Sequence, residues 1–139
     1  MTHRAMLDAH PGDLAAIDLD RLADAIAALQ ECAQVCTACA DACLSEEMVA
    51  DLRRCIRSDL DCADVCQATL AVLTRRTGYD PNVTRAVLEA CVTVCLACAE
   101  ECGDHAGMHE HCRICADVCR RCVDACRALA ESLTQGPHH

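Results

Sequence analysis

Small apolar residues return along this chain at intervals of four, three and four, with polar and charged positions between them. Cys32, Cys36, Cys39 and Cys43 keep that spacing, as do Cys91, Cys95, Cys98 and Cys102, and again Cys115, Cys119, Cys122 and Cys126. A fourth run is Cys55, Asp59, Cys62 and Cys66, with an aspartate where the pattern calls for cysteine, and Cys112 extends the last run by a further step of three. Such spacing is the seam of an amphipathic helix. Four seams predict four helices that turn rows of thiols toward one another.

Punctuation along the chain sets the expected boundaries. The first helix starts near Asp13 or Asp18, either of which can cap it, and runs through Cys43. Ser45-Glu46-Glu47 is a short polar break. The second helix spans about Met48 to Thr77. Gly78-Tyr79-Asp80-Pro81 is a turn whose proline opens the third helix, which runs to about Cys102. Gly103 to Gly107 reads as a loop or frayed end, and the fourth helix spans about His109 to Leu133. Residues 1–17 form an N-terminal extension with room for a short extra helix, 18–133 the cysteine-rich bundle, and 134–139 a flexible tail. Cys-Ala-Asp-Val-Cys occurs at 62–66 and again at 115–119, consistent with a duplicated helix hairpin. The expected fold is therefore all-α, an antiparallel four-helix bundle with a thiol-lined core.

Antiparallel order decides which seam ends meet. One end gathers Leu22, Ala25 and Leu29 with Leu70 and Leu73, Thr84 and Leu88, and Leu129 and Leu133, an apolar plug. The opposite end gathers Glu46, Met48, Leu52, His105 and Met108, with His109 and His111 close by. The predicted interior is closed at one end and lined by thioether and imidazole groups at the other. Twelve residues such as 32–43 give a thiol column about 16 Å tall at about 1.5 Å per residue.

Composition sharpens this picture. Sixteen of 139 residues are cysteine, Phe and Trp are absent, and Tyr79 is the one aromatic side chain. The aromatic residues that so often dominate cores are missing, and cysteine fills less volume than leucine, so a thiol core forgoes stability that another purpose must offset. A net charge of −10 and the lack of a basic stripe argue against nucleic-acid partners. The N-terminus has no apolar segment and no twin arginine, and no apolar run reads as long enough to span a bilayer. The expected location is the cytoplasm, where thiols stay reduced, and no membrane partner is expected.

Thiols at i,i+3 and i,i+4 on one helix are poorly placed for disulfides. Metal binding remains as the purpose of the column. Zinc and iron–sulfur sites need about four converging thiolates each, and the bacterial ferredoxin run is absent. Soft thiolates select copper(I). A monovalent ion for each thiolate also neutralises a buried column, whereas a divalent ion on four thiolates leaves two negative charges. Copper(I) is favoured, with an iron–sulfur redox protein or a zinc–thiolate buffer as alternatives. All sixteen cysteines are candidate ligands. Met48, His105, Met108, His109 and His111 are candidates for passage of metal at the open end. Asp59 is either a water- or arginine-paired polar residue, or an oxygen contact or base beside its thiols. No nucleophile–base arrangement supports an enzyme.

Cys32-x3-Cys36-x2-Cys39-x3-Cys43, Cys62-x3-Cys66, Cys91-x3-Cys95-x2-Cys98-x3-Cys102 and Cys112-x2-Cys115-x3-Cys119-x2-Cys122-x3-Cys126 resemble the seams of the cytosolic bacterial copper storage proteins, over about residues 18–133. The resemblance implies a four-helix bundle that holds many copper(I) ions, mostly through paired thiolates, admits them at a His/Met-bearing end, and assembles as a homotetramer. A copper chaperone is a candidate partner. Asp59 departs from the family pattern.

Overall fold

The computed structural model describes residues 2–133; the tail at 134–139 lies outside the described residues. Helix α1 is Thr2–Asp8, α2 Leu19–Leu44, α3 Arg53–Thr74, α4 Pro81–His105 and α5 Glu110–Ser132, with a 3-10 turn at Val49–Leu52. Helix α2 packs against α3 and α5, and α4 against α3 and α5, while the diagonal pairs stay apart. Four helices in chain order thus form a square bundle, with α1 laid against α2.

The helix ends follow local chemistry. Asp18 rather than Asp13 caps α2, its carboxylate accepting the Arg21 N–H at 3.1 Å. Asp80 caps α4 by accepting the N–H groups of Asn82 and Val83, with Pro81 in the first turn where a missing N–H costs nothing. Gly78 has φ +70, a conformation that glycine adopts without steric cost. Arg76 folds over the Tyr79 ring at 4.3 Å and donates to the Leu73 carbonyl, which satisfies the end of α3.

Three expectations need correction. The second bundle helix begins not at Met48 but as a 3-10 turn, becoming α-helical at Arg53. The third continues to His105, so Gly103 lies inside it rather than in a loop. Its 25 residues are also long and apolar enough to cross a membrane by length and composition, contrary to the sequence reading. Cysteine, alanine and valine supply that apolarity, and Leu88, Cys91, Cys95, Cys98 and Cys102 spend theirs inside the bundle.

The plug is confirmed with one change. Leu22, Leu29, Leu73, Leu88 and Leu129 are wholly buried. At the α3 seam, however, Thr69 is buried and Leu70 only partly so. The step after Cys66 is three residues rather than four, and a threonine is tolerated there because its hydroxyl donates to the Val65 carbonyl at 2.8 Å.

Candidate metal centre

Between the plug and the opposite end the core is sulfur. All sixteen cysteines are buried free thiols. The rows interlock across helices: Cys62 Sγ lies 3.5 Å from Cys95 Sγ, Cys66 3.7 Å from Cys91, and Cys36 3.6 Å from Cys119. Cys55 and Cys102 approach to 3.2 Å. Sets of four whose sulfurs all lie within 4.8 Å of one another include Cys32/Cys66/Cys95/Cys122, Cys32/Cys36/Cys62/Cys119 and Cys36/Cys98/Cys115/Cys119. Cysteines such as Cys32 and Cys36 belong to more than one set. The donors therefore form a continuous ladder rather than isolated cages.

Asp59 interrupts this ladder and is wholly buried. Its side-chain partners are thiols rather than an arginine. Its Oδ1 accepts the thiols of Cys98 at 3.1 Å, Cys115 at 3.1 Å and Cys102 at 3.3 Å. Burial, followed by the charge of Cys115, pushes its carboxyl up to about 8. A neutral carboxyl at this position avoids adding a second bare charge to the core.

Many of the thiols are also disfavoured as anions while metal-free, whereas hydrogen bonds from neighbouring thiols lower Cys32, Cys62, Cys91 and Cys115. Burial, then the charges of Cys112 and Asp59, pushes Cys43 up to about 12, and burial is likewise the main reason that Cys112 is raised. Deeper in the column, hydrogen bonding with Cys115 and Cys119 raises Cys36. A cation entering such a core would have to displace protons.

At the open end the donor set changes. His111 turns Nδ1 to Cys39 Sγ at 3.4 Å and to Cys112 Sγ at 3.6 Å, and Nε2 to Glu46 Oε2 at 3.1 Å. The same Glu46 oxygen takes the Nδ1 of His109 at 2.6 Å. The two imidazoles stack with centroids 5.5 Å apart. His109 precedes α5 but does not cap it through its side chain; the ring is engaged with Glu46 instead.

The residues 18–131 match the family model described as copper storage protein.

The chain belongs to the copper storage protein family.

Within solved structures it is similar to the copper storage protein Ccsp of Streptomyces lividans loaded with 10 copper equivalents, at 60% identity and TM-score 0.93, over 94% of this chain and 99% of that one. A structure of copper loading to that cytosolic copper storage protein, with five coppers, is 64% identical with TM-score 0.82, over 83% of this chain and 96% of that one. An uncharacterised cysteine-rich protein of Bacillus subtilis (strain 168), YhjQ, is 38% identical over 91 residues, 66% of this chain and 79% of the relative.

Against that background the predicted site residues fall into three groups. The sixteen cysteines converge as the seams require. His109 and His111 converge with them at the open end, while His105 is half-buried at the end of α4. Met48, 38% exposed, and Met108, 63% exposed, face solvent instead of the column. Their register placed them at this end, but the 3-10 turn and the loop before α5 rotate them outward. Glu46 is the residue whose role the sequence did not disclose. It continues the α2 seam by a step of three beyond Cys43, yet nothing in the spacing shows that it bridges two histidines.

Proposed function

We propose that this protein stores copper as copper(I), many ions per chain, on the thiolates of its sixteen cysteines. The supporting observation is the ladder of buried sulfurs, interrupted only by Asp59, in which overlapping four-donor sets run from Cys32 and its neighbours toward the open end. A monovalent ion suits such a ladder because it cancels the charge of each thiolate it engages. Storage rather than catalysis is the reading, since the thiols are spent on one another and on the metal.

Ions enter and leave at the end bearing Glu46, His109 and His111, with His105 beside them. Met48 and Met108 are outer contacts of that end. The Streptomyces lividans relative is a cytosolic protein, and a cytoplasmic location with reduced thiols is inferred for this chain. Assembly as a homotetramer and exchange with a copper chaperone complete the reading.

The test is an anaerobic copper(I) titration of the reduced chain against a chromophoric chelator. Tight uptake approaching about one ion per thiol is expected for a soft-thiolate store. Saturation after one or two ions, or a brown iron-containing protein as isolated, would overturn it.

A further inference from the structure

Helix α4 presents an apolar face on the side away from the sulfur. Val83, 49% exposed, and Leu96, 43% exposed, flank it on opposite edges. Between them Ala86, Ala90, Thr93 and Ala97 are all exposed. Residues 90–99 carry no charge, with Glu89 and Glu100 on either side of that run. Single exposed leucines are ordinary, but an outer face that stays apolar along the middle of a 25-residue helix marks a contact surface. From this face and the charges at its ends we infer that α4 joins two copies of this chain, packed antiparallel about a two-fold axis near Thr93. The inference gives a face to the self-assembly proposed above and rests on that reading, not on the storage role.

The outer face of α5 offers no such surface. Arg113 pairs there with Glu110 and Asp117, and Arg120 with Asp117. Arg121 reaches Glu31 on α2, and α1 is laid against α2 as well. Charged groups that satisfy one another in water gain little from a partner.

Charge on α4 selects a second copy and sets its direction. Among the described residues neither Arg85 nor Glu100 has an ion-pair partner; Arg85 donates only to the Asn82 side-chain oxygen at 3.4 Å. Glu101, next to Glu100, is by contrast taken by Arg54. Arg85 stands before Thr93 by about the same distance as Glu100 stands after it. In an antiparallel pair centred near Thr93, Arg85 of one copy therefore falls beside Glu100 of the other, and the two-fold axis makes this pair twice. A parallel pair would instead set Glu100 against Glu100. Glu89 stands one turn from Arg85 on its own helix, so it enters the contact with a cation nearby.

The backbones can also approach. Alanine and threonine at the centre of the face leave little bulk between two helices. The Thr93 hydroxyl donates to the Glu89 carbonyl at 3.0 Å, so the axis buries no unsatisfied donor. Because α4 starts at the plug and ends at the mouth, antiparallel pairing sets each mouth beside the other copy's plug. The two mouths lie at opposite ends, about 37 Å apart for a helix of this length at about 1.5 Å per residue. Neither mouth is covered, and each chain loads its own copper.

The test is sedimentation velocity of the full reduced chain over a range of concentrations. Wild type should be assembled. Thr93→Glu sets two like charges at the axis and should weaken association at least about 100-fold, reducing the mass by half or more. Arg85→Glu and Glu100→Arg should each weaken it about tenfold, and the double variant should restore it. That rescue has to come from a second copy, since the two positions are about 22 Å apart along one helix. Ile114→Glu, on the charged face of α5, should leave assembly unchanged. None of these positions is buried, and circular dichroism with copper(I) capacity shows that each variant keeps its fold and its store. An assembled wild type insensitive to Thr93→Glu overturns this face and leaves self-assembly standing. Failure of the double variant to recover overturns the antiparallel register. A monomeric wild type overturns self-assembly as well and leaves storage untouched, and a monomer that floats with phosphatidylglycerol vesicles gives the face to lipid instead.

Discussion

Asp59 Oδ1 accepts the Cys98 thiol at 3.1 Å in the middle of the bundle. The carboxyl is held neutral there, pushed up to about 8 by burial and then by the charge of Cys115. Unfolding returns it to an ordinary value near 4. The folded state thus keeps a proton that the unfolded chain releases between those limits. The stabilising contribution is complete below the unfolded value and is lost as pH rises through about 8. Copper-free Asp59→Asn should lack this component, whose slope is at most about 1.4 kcal/mol per pH unit. Anaerobic urea unfolding of both proteins at several pH values checks this, and parallel profiles would exclude it.

Copper loading should release protons. Cys43 is pushed up to about 12 while metal-free, so its thiol is protonated at neutral pH. Each thiol that becomes a ligand gives up its proton. About one proton per engaged cysteine should appear in a lightly buffered anaerobic titration, and copper should bind more weakly as pH falls. Proton release far below the number of ions taken up would contradict ligation through thiolates.

Mouth residues should govern rates more than capacity. His111→Ala or Glu46→Ala should slow copper loading and chelator-driven removal by about tenfold, the order found for perturbed metal shells. The final copper content should change by no more than the ions held at the mouth itself. Met48→Ala and Met108→Ala should have smaller effects because both side chains stand in solvent. Stopped-flow absorbance in the ultraviolet gives the rates. Equal loss of capacity with unchanged rates would refute the arrangement.

The plug carries stability without carrying metal. Leu88 is wholly buried and lies one turn beyond the last sulfur of its seam. Leu88→Ala should destabilise the copper-free bundle by about 2–5 kcal/mol, the range for a truncated core leucine. Its copper capacity should stay at the wild-type value. Chemical unfolding and the chelator titration measure the two quantities separately.

The antiparallel bundle, the inward rows of cysteine, the leucine plug and the gathering of histidines at one end were all legible because each follows from a helical period and short connections. Thr69 was misplaced because a seam alternates steps of three and four, and only packing against the Val87 end of α4 selects between Thr69 and Leu70. Met48 and Met108 were misplaced because side-chain direction just outside a helix depends on the turn that forms there. The helical continuation through Gly103 was likewise not visible, since a single glycine weakens a helix by only about 1 kcal/mol and packing easily overrides that.

By itself the sequence determined the number of helices, which face of each turns inward, and that this face is sulfur. Those properties depend on neighbours a few residues apart, and the heptad-like spacing encodes them directly. Only the tertiary structure decided that Asp59 takes its hydrogen bonds from three thiols on two other helices, and that Glu46 at the end of α2 orients His111 on α5 against Cys39 and Cys112. Apart from the adjacent pair His111 and Cys112, these relationships join residues 39 to 72 positions apart, where no local period reaches. They are set by the vertical register of the packed helices, which the seams permit but do not specify.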